Sequence, residues 1–283
     1  MNPAARGRLY LVATPIGNLE DITFRAVRIL REVDVIAAED TRHTGKLLQH
    51  FGITTPQISY HHHNRRERQG ELLQRLHRGE QIALVSDAGM PGISDPGTEL
   101  VQACVAAHIP VMPIPGANAA LTALSASGLA TAAFLFLGFL PPKPTARQGV
   151  LTAIQGVQAT LIFYEAPHRL VATLGDMVKV WGGERATVVA RELTKLYEEF
   201  WRGTLAQAQA HFQAQPPKGE ITLLVAGAVQ PATPAPAAVL PEIERLLATG
   251  LGCGEIARRL AATTGLSRRT LYQLALAAQR QGS

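Results

Sequence analysis

Two cysteines in 283 residues, Cys104 and Cys253, are too few and too far apart for a disulfide framework or a zinc set. Aromatics make up only 5% of the chain, which argues against an extended stacking platform for single-stranded nucleic acid. No apolar run approaches membrane-spanning length. The opening residues, MNPAARGRLYLV, lack the apolar core of a secretory signal. The expectation is a cytoplasmic protein with no membrane partner. Three motifs are also missing. No G-x-x-x-x-G-K-[ST] occurs, which argues against a P-loop hydrolase. No G-x-G-x-x-G follows the first strand, so the usual dinucleotide and methyltransferase fingerprint is absent. No G-x-S-x-G marks a hydrolase elbow. His61, His62 and His63 are consecutive and point in different directions, with no cysteine or acid at ligand spacing. No metal site is predicted.

What is present is a large apolar fraction, 47%, with 17% charged residues and a net charge of +5. That is enough core for two domains of ordinary size. The basic balance, with a pI near 9.5, favours an anionic partner, and nucleic acid leads the list.

The first half alternates short apolar strands with helical patterns. Strands are predicted at 9–13, 33–38, 57–60, 82–85 and 109–114. Helices are predicted at 22–30 behind Asp21 as N-cap, at 41–51 with Gly52 ending it, and at 65–78. This alternation implies a mainly parallel sheet with helices on both faces. The loops ATPIGN, AEDTRHT, HHHNRR, SDAGMPGISDPG and PIPGANA then leave the sheet along one edge, where open α/β sheets bind ligands. The richest of them places Asp87 just past a strand end among glycines and stiffening prolines. The same string is also compatible with an ordinary strand-to-helix turn.

The second half is looser, with strands at 134–139, 159–164, 186–190 and 221–226 and a small-residue boundary near 117–132. QPATPAPAA reads as an extended, semi-rigid linker. Three short helical patterns follow, with Gly265-Leu266-Ser267-Arg268-Arg269-Thr270 before the last. This fits a helix-turn-helix, and equally a helical appendage for docking or dimerisation. The predicted domains are 7–117, 118–229, a linker at 230–239 and a tail at 240–283.

The strings LYLVATPIGNLEDIT, AAEDTRHTGKLL, LVSDAGMPGISDPG, PIPGANAALTALSASGL, FLGFLP, FYEAPHRL and ARELTK…GEITLLV occur in this order. Together they resemble the bacterial family of ribosomal RNA small subunit methyltransferases I. That family is a branch of the tetrapyrrole methylase superfamily, the class III S-adenosylmethionine-dependent methyltransferases. The resemblance implies an α/β fold: two α/β/α domains with the active site in the cleft between them, plus a helix-turn-helix-like tail. It implies S-adenosylmethionine as cofactor and a homodimer. It also implies 2′-O-methylation of a cytidine ribose in the decoding centre of 16S rRNA, with the 30S subunit as partner. Carried over position by position, it points to cofactor contacts at Pro15 and Ile16, at Asp87, Ala88, Gly89 and Met90, and at Asn118 and Ala119. Further contacts fall at Glu165, Ala190 and Thr222. The loop Ser86-Asp87-Ala88-Gly89 departs from the Gly-Asp-Pro type of the tetrapyrrole enzymes, which argues against a porphyrinoid substrate.

A ribose hydroxyl is a poor nucleophile that gains from a base or a nearby cation. The strand-end groups available are Glu39, Asp40, Arg42, His43, Glu165, Arg191 and Glu192. The expectation is that Glu39 or Asp40 organises the hydroxyl while Arg42 holds phosphate. His61, His62 and His63 are expected to touch phosphate.

Overall fold

The computed structural model describes residues 7–229 and 235–281. The chain forms two compact units, Met1–Ala228 and Val229–Ser283. The first unit holds two five-stranded sheets. In the first sheet, β1 (Arg8–Val12), β2 (Val35–Ala38), β3 (Gln57–Ser59), β4 (Gln81–Val85) and β5 (Val111–Ile114) run in the order β3-β2-β4-β1-β5. Every pairing is parallel. Alternate residues face opposite cores. Val35, Ala37, Ile82 and Leu84 meet α3 (Arg65–His77) and α4 (Thr98–Ala106), including the buried Cys104. Ile36, Ala38, Ala83 and Val85 meet α1 (Phe24–Glu32) and α2 (Thr41–His50). Burial on both faces explains why these strands are nearly uninterrupted apolar runs.

Gly52, at φ +61°, follows α2 as expected. Asp21 is not the cap of α1. It lies in a short 3-10 turn, Leu19–Asp21, itself capped by Asn18, and the Thr23 hydroxyl accepts from Ala26 N to cap α1.

In the second sheet, β6 (Phe134–Phe139), β7 (Thr160–Glu165), β8 (Ala186–Arg191), β9 (Glu199–Thr204) and β10 (Ile221–Val225) run in the order β6-β7-β10-β8-β9. Only β6 and β7 are parallel. The alternating reading therefore fails here: β8 and β9 form an antiparallel pair joined without a helix. One face packs on α6 (Pro144–Ala153), α7 (Leu170–Trp181) and α8 (Leu205–Ala214). The other receives the small-residue helix α5 (Ala119–Ser127), and Ile16 from the β1 loop joins that core.

The second unit is a three-helix cluster of α9 (Leu240–Ala248), α10 (Cys253–Thr264) and α11 (Arg268–Gln281) around Ile243, Ile256, Leu260, Leu271 and Ala275. Of the predicted linker, residues 230–234 lie outside the described residues. The remainder is not extended: Pro236–Val239 form a 3-10 turn and Val239 is buried in the three-helix core. Proline at the first position of a helical turn suits its fixed φ.

Candidate active-site cleft

At the carboxyl edge of the first sheet, the loops after β1 and β4 are zipped together. Thr14 N donates to the Gly89 carbonyl (2.9 Å) and Gly89 N to the Thr14 carbonyl (3.0 Å). The Thr14 hydroxyl donates to the Ser86 carbonyl at 3.1 Å. Gly89 sits at φ +81°, a conformation that favours glycine. Its absent Cβ would lie 3.4 Å from Ile16.

Two close approaches join these loops to the second sheet. A Cβ at Gly17 would sit 2.4 Å from the Lys195 side chain, and one at Gly138 would sit 2.8 Å from Ser94 Oγ. Ser94, Glu192 and Thr194 all hold positive φ. Such strain persists where surrounding structure over-determines it, commonly at ligand sites. Between these contacts lies a cavity of about 390 Å³, within the range of small-ligand sites.

Of the predicted cofactor residues, Ile16, Ala88, Gly89, Met90, Asn118, Ala119, Glu165 and Thr222 line this cavity. Pro15, Asp87 and Ala190 are not among its walls. Asp87 instead braces two loops: its carboxylate accepts from Asp40 N at 3.1 Å, and its own N–H donates to Glu39 Oε2 at 3.5 Å. Ala190 is fully buried in the α5 core, with Ile16 and Leu193. The sequence reading missed Ile93, Ser94, Asp95, Phe139, Tyr164, Leu193 and Glu220, which also line it. All sit inside the recognised strings, and all but Phe139 are in strings from which other residues were picked.

The cavity is acidic. Asp95, Glu165 and Glu220 line it. Burial pushes the Asp95 carboxyl up, and Asp87 adds to this against a hydrogen bond from Ser86. Burial likewise raises the Tyr164 hydroxyl. Glu165 is 2% exposed. It is fixed by the Thr173 hydroxyl at 2.6 Å, by Ala166 N at 2.9 Å and by Arg169, whose Nε is 3.2 Å away. On the facing rim, Glu192 accepts from Glu220 N and from Lys195 Nζ, both at 2.9 Å, and Lys195 Nζ also donates to Glu220 at 3.0 Å. Gly219, at φ +86°, has no room for a Cβ, which would fall 2.3 Å from Glu192 Oε1.

Glu39, Asp40 and Arg42 do not line the cavity; Glu39 and Asp40 are hydrogen-bonded to Asp87 beside it. Burial raises the Glu39 carboxyl, and the nearby Asp95 and Asp87 raise it further. Asp40 differs. Its carboxylate caps α2 by accepting from Arg42 N (2.8 Å), and it pairs with Arg42 Nε (3.1 Å) and Nη2 (2.8 Å). The Arg42 side-chain hydrogen bonds hold it well below the usual carboxylate range. Two adjacent carboxylates are thereby separated: Glu39 is suited to take a proton and Asp40 to stay ionised. Arg191 is committed to Glu199 at 2.8 Å. His61 Nδ1 accepts from His63 N and Asn64 N (3.2 Å each) at the start of α3, leaving His62 and His63 exposed.

Residues 8–209 match the family described as Tetrapyrrole (Corrin/Porphyrin) Methylases. The chain is 57% identical over 278 residues to the "Ribosomal RNA small subunit methyltransferase I" of Synechocystis sp., covering 98% of this chain and all of that protein. The Pseudomonas aeruginosa protein of the same name is 49% identical, over 98% of each chain. Among solved structures, diphthine synthase superposes with a TM-score of 0.61 at 14% identity, over 79% of this chain and 91% of the other. A uroporphyrin-III C-methyltransferase from Thermus thermophilus, solved with S-adenyl homocysteine, gives 0.56 at 21% identity over 77% and 97%. At such identities these structures speak to the fold.

Proposed function

Because the chain belongs to the ribosomal RNA small subunit methyltransferase I family, within the tetrapyrrole methylases, we propose that it transfers a methyl group from S-adenosylmethionine to 16S rRNA. The acceptor is the 2′-hydroxyl of a cytidine ribose in the decoding centre. The observation that carries this reading is the partly open cavity between the two sheets, whose walls carry Asp95, Glu165 and Glu220. Its carboxylates suit a donor bearing a sulfonium and an ammonium, and the bare backbone at Ala88 and Gly89 leaves room for close approach. Ile16, Met90, Asn118, Ala119, Glu165 and Thr222 would hold the donor, together with Asp95, Tyr164 and Phe139. When bound, S-adenosylmethionine supplies a methyl group already activated for displacement.

The chain's task is then to position the acceptor and handle its proton. Glu39, with its raised carboxyl, takes the proton of the hydroxyl. Asp40 and Asp87 keep that loop in register. Arg42 remains 89% exposed in spite of its pairing, and its free donors hold phosphate beside the exposed His62 and His63. The acid of the cavity repels phosphate, so RNA is gripped outside it.

We assign 7–117 and 118–229 to separate domains whose facing edges build the site. Homodimerisation is supported by exposed apolar side chains on the β8–β9 loop and at the α1 start: Leu196 at 87%, Tyr197 at 69% and Phe24 at 99% exposure. The cytoplasm is the compartment where such a substrate is met.

The test is methyl transfer from radiolabelled S-adenosylmethionine to 30S subunits lacking the modification, followed by digestion to nucleosides. The expected product is 2′-O-methylcytidine. Label on a base, or none on RNA, overturns the reading.

A further inference from the structure

The groove between α10 and α11 holds a cluster of side chains that the cleft does not use. It is shallow and open to solvent, and is lined by Arg258 from α10 and by Arg268, Arg269, Tyr272 and Gln273 from α11. On α11 these four fall on one stripe, one turn apart. On α10 the stripe opposite is small: Ala257 is buried, and Gly254 has open space where a Cβ would stand. The groove is therefore built to stay open.

Its charge has no internal explanation. Arg258 faces only Glu255, at 3.5 Å, with both side chains more than half exposed, a geometry worth little to stability. Among the described residues no carboxylate lies within ion-pair distance of Arg268 or Arg269. Both stand in the first turn of α11, where Ser267 Oγ accepts from Thr270 N and the positive end of the helix dipole disfavours cations. The described residues of this unit carry six arginines against three glutamates. Tyr272 is 46% exposed, while its neighbours Leu271 and Ala275 are fully buried in the core. Two unpaired guanidiniums and an open aromatic face, one turn apart in a groove, match a phosphate and an adjoining base.

We propose that this groove binds RNA, specifically an unpaired segment, with Arg268 and Arg269 on consecutive phosphates and one base stacked on Tyr272. Duplex RNA fits poorly, because its deep, narrow major groove does not admit a helix in the manner of duplex DNA. Unpaired RNA offers splayed bases for stacking and edges for Gln273. The tail then adds a second foothold on the substrate, and this inference rests on the rRNA reading above.

The experiment uses the full chain, with 30S subunits and a short single-stranded RNA as probes, titrated over a range of salt. The variants are Arg268→Ala/Arg269→Ala, Tyr272→Ala and Tyr272→Phe. The arginine pair should weaken binding to both probes about tenfold and flatten the salt dependence by roughly 1.4 in log–log slope. Tyr272→Ala should weaken binding about tenfold without changing the slope, and Tyr272→Phe should restore it. All three should keep wild-type thermal melting and S-adenosylmethionine affinity. Unchanged affinity and slope in the arginine variant overturns the proposal. So does a loss confined to 30S subunits with the RNA probe unaffected, which would make the groove a docking site for ribosomal protein. If the wild type itself neither binds nor methylates 30S subunits, the underlying functional reading fails instead.

Discussion

The raised carboxyl that suits Glu39 to its proposed role in proton transfer also makes it a structural cost. Burial and the neighbouring Asp95 and Asp87 raise its carboxyl pKa, so the folded chain holds that proton more tightly than the unfolded chain does. The associated stability is therefore full at acid pH and is lost as pH rises through the raised value. Glu39→Gln removes the charge and should raise the melting temperature by about 2 °C at pH 7.5, with the gain fading as pH falls toward 4. The same variant should slow single-turnover methylation about 100-fold, the ordinary size of a lost general base. Equal rates for variant and wild type would remove Glu39 from the chemistry. Gly219→Ala makes a second test at this scale. The added methyl meets a positive φ and the Glu192 carboxylate, so urea unfolding should show a loss of about 1–3 kcal/mol. Calorimetry should show weaker S-adenosylmethionine binding, because Gly219 and Glu220 wall the cavity. At this scale the sequence was legible where a loop string carried its residues together, as with Ala88, Gly89 and Met90. It was not legible for Asp95, which lines the cavity next to Ser94, a non-glycine residue at φ +63° that no local pattern announces. Nor could sequence distinguish Asp40 from Glu39: the difference lies in which of them Arg42 folds back to meet.

The fully buried strands were the plainest elements to read. The parallel strands β2 and β4 are buried along nearly their whole length and announced themselves as apolar runs. β9, Glu-Phe-Trp-Arg-Gly-Thr, was missed because it is an edge strand with no fully buried residue, and its pairing with β8 is invisible to local pattern. The contact between α6 and α7 was equally hidden. Arg147 and Asp176 are 3% and 5% exposed and lie 2.5 Å apart. Arg147 Nε and Gln148 Nε2 each donate to Asp176 at 2.7 Å. Burial alone would raise the Asp176 carboxyl, but these hydrogen bonds hold it below its ordinary value. The pair's contribution is thus present above the unfolded pKa and disappears as pH falls through the lowered one. Arg147→Met takes the guanidinium from the buried Asp176 carboxylate, leaving it only Gln148 and the exposed Lys179, and should cost about 3 kcal/mol in urea unfolding at pH 7. That deficit should shrink on acidification as Asp176 is protonated. Since neither residue lines the cavity, S-adenosylmethionine affinity in the folded variant should match wild type; a proportional loss of both would show that α6 and α7 support the site directly.

At the scale of the whole molecule, charge is divided by task. The cavity proposed for the cationic donor has Asp95, Glu165 and Glu220 in its walls, yet the chain as a whole carries +5. Guanidinium groups stand outside the cavity instead, on Arg42 beside a strand end, along α1 and α3, and on the α10–α11 groove. One molecule can in this way attract a polyanion at long range without filling its donor site with phosphate. The two compact units have separate hydrophobic cores: none of the residues packed around Ile243, Ile256 and Leu271 comes from the first unit. Removing residues 229–283 should therefore leave the two-sheet unit folded, with the cavity and its donor affinity within about twofold of the full chain. The retained unit should unfold cooperatively, with a reduced denaturant slope that reflects the smaller surface exposed. Binding to 30S subunits should weaken and depend less steeply on salt, because phosphate contacts have been removed. Loss of donor binding on truncation would mean that the helical tail is part of the donor site's support, and the division of labour between the units would have to be abandoned.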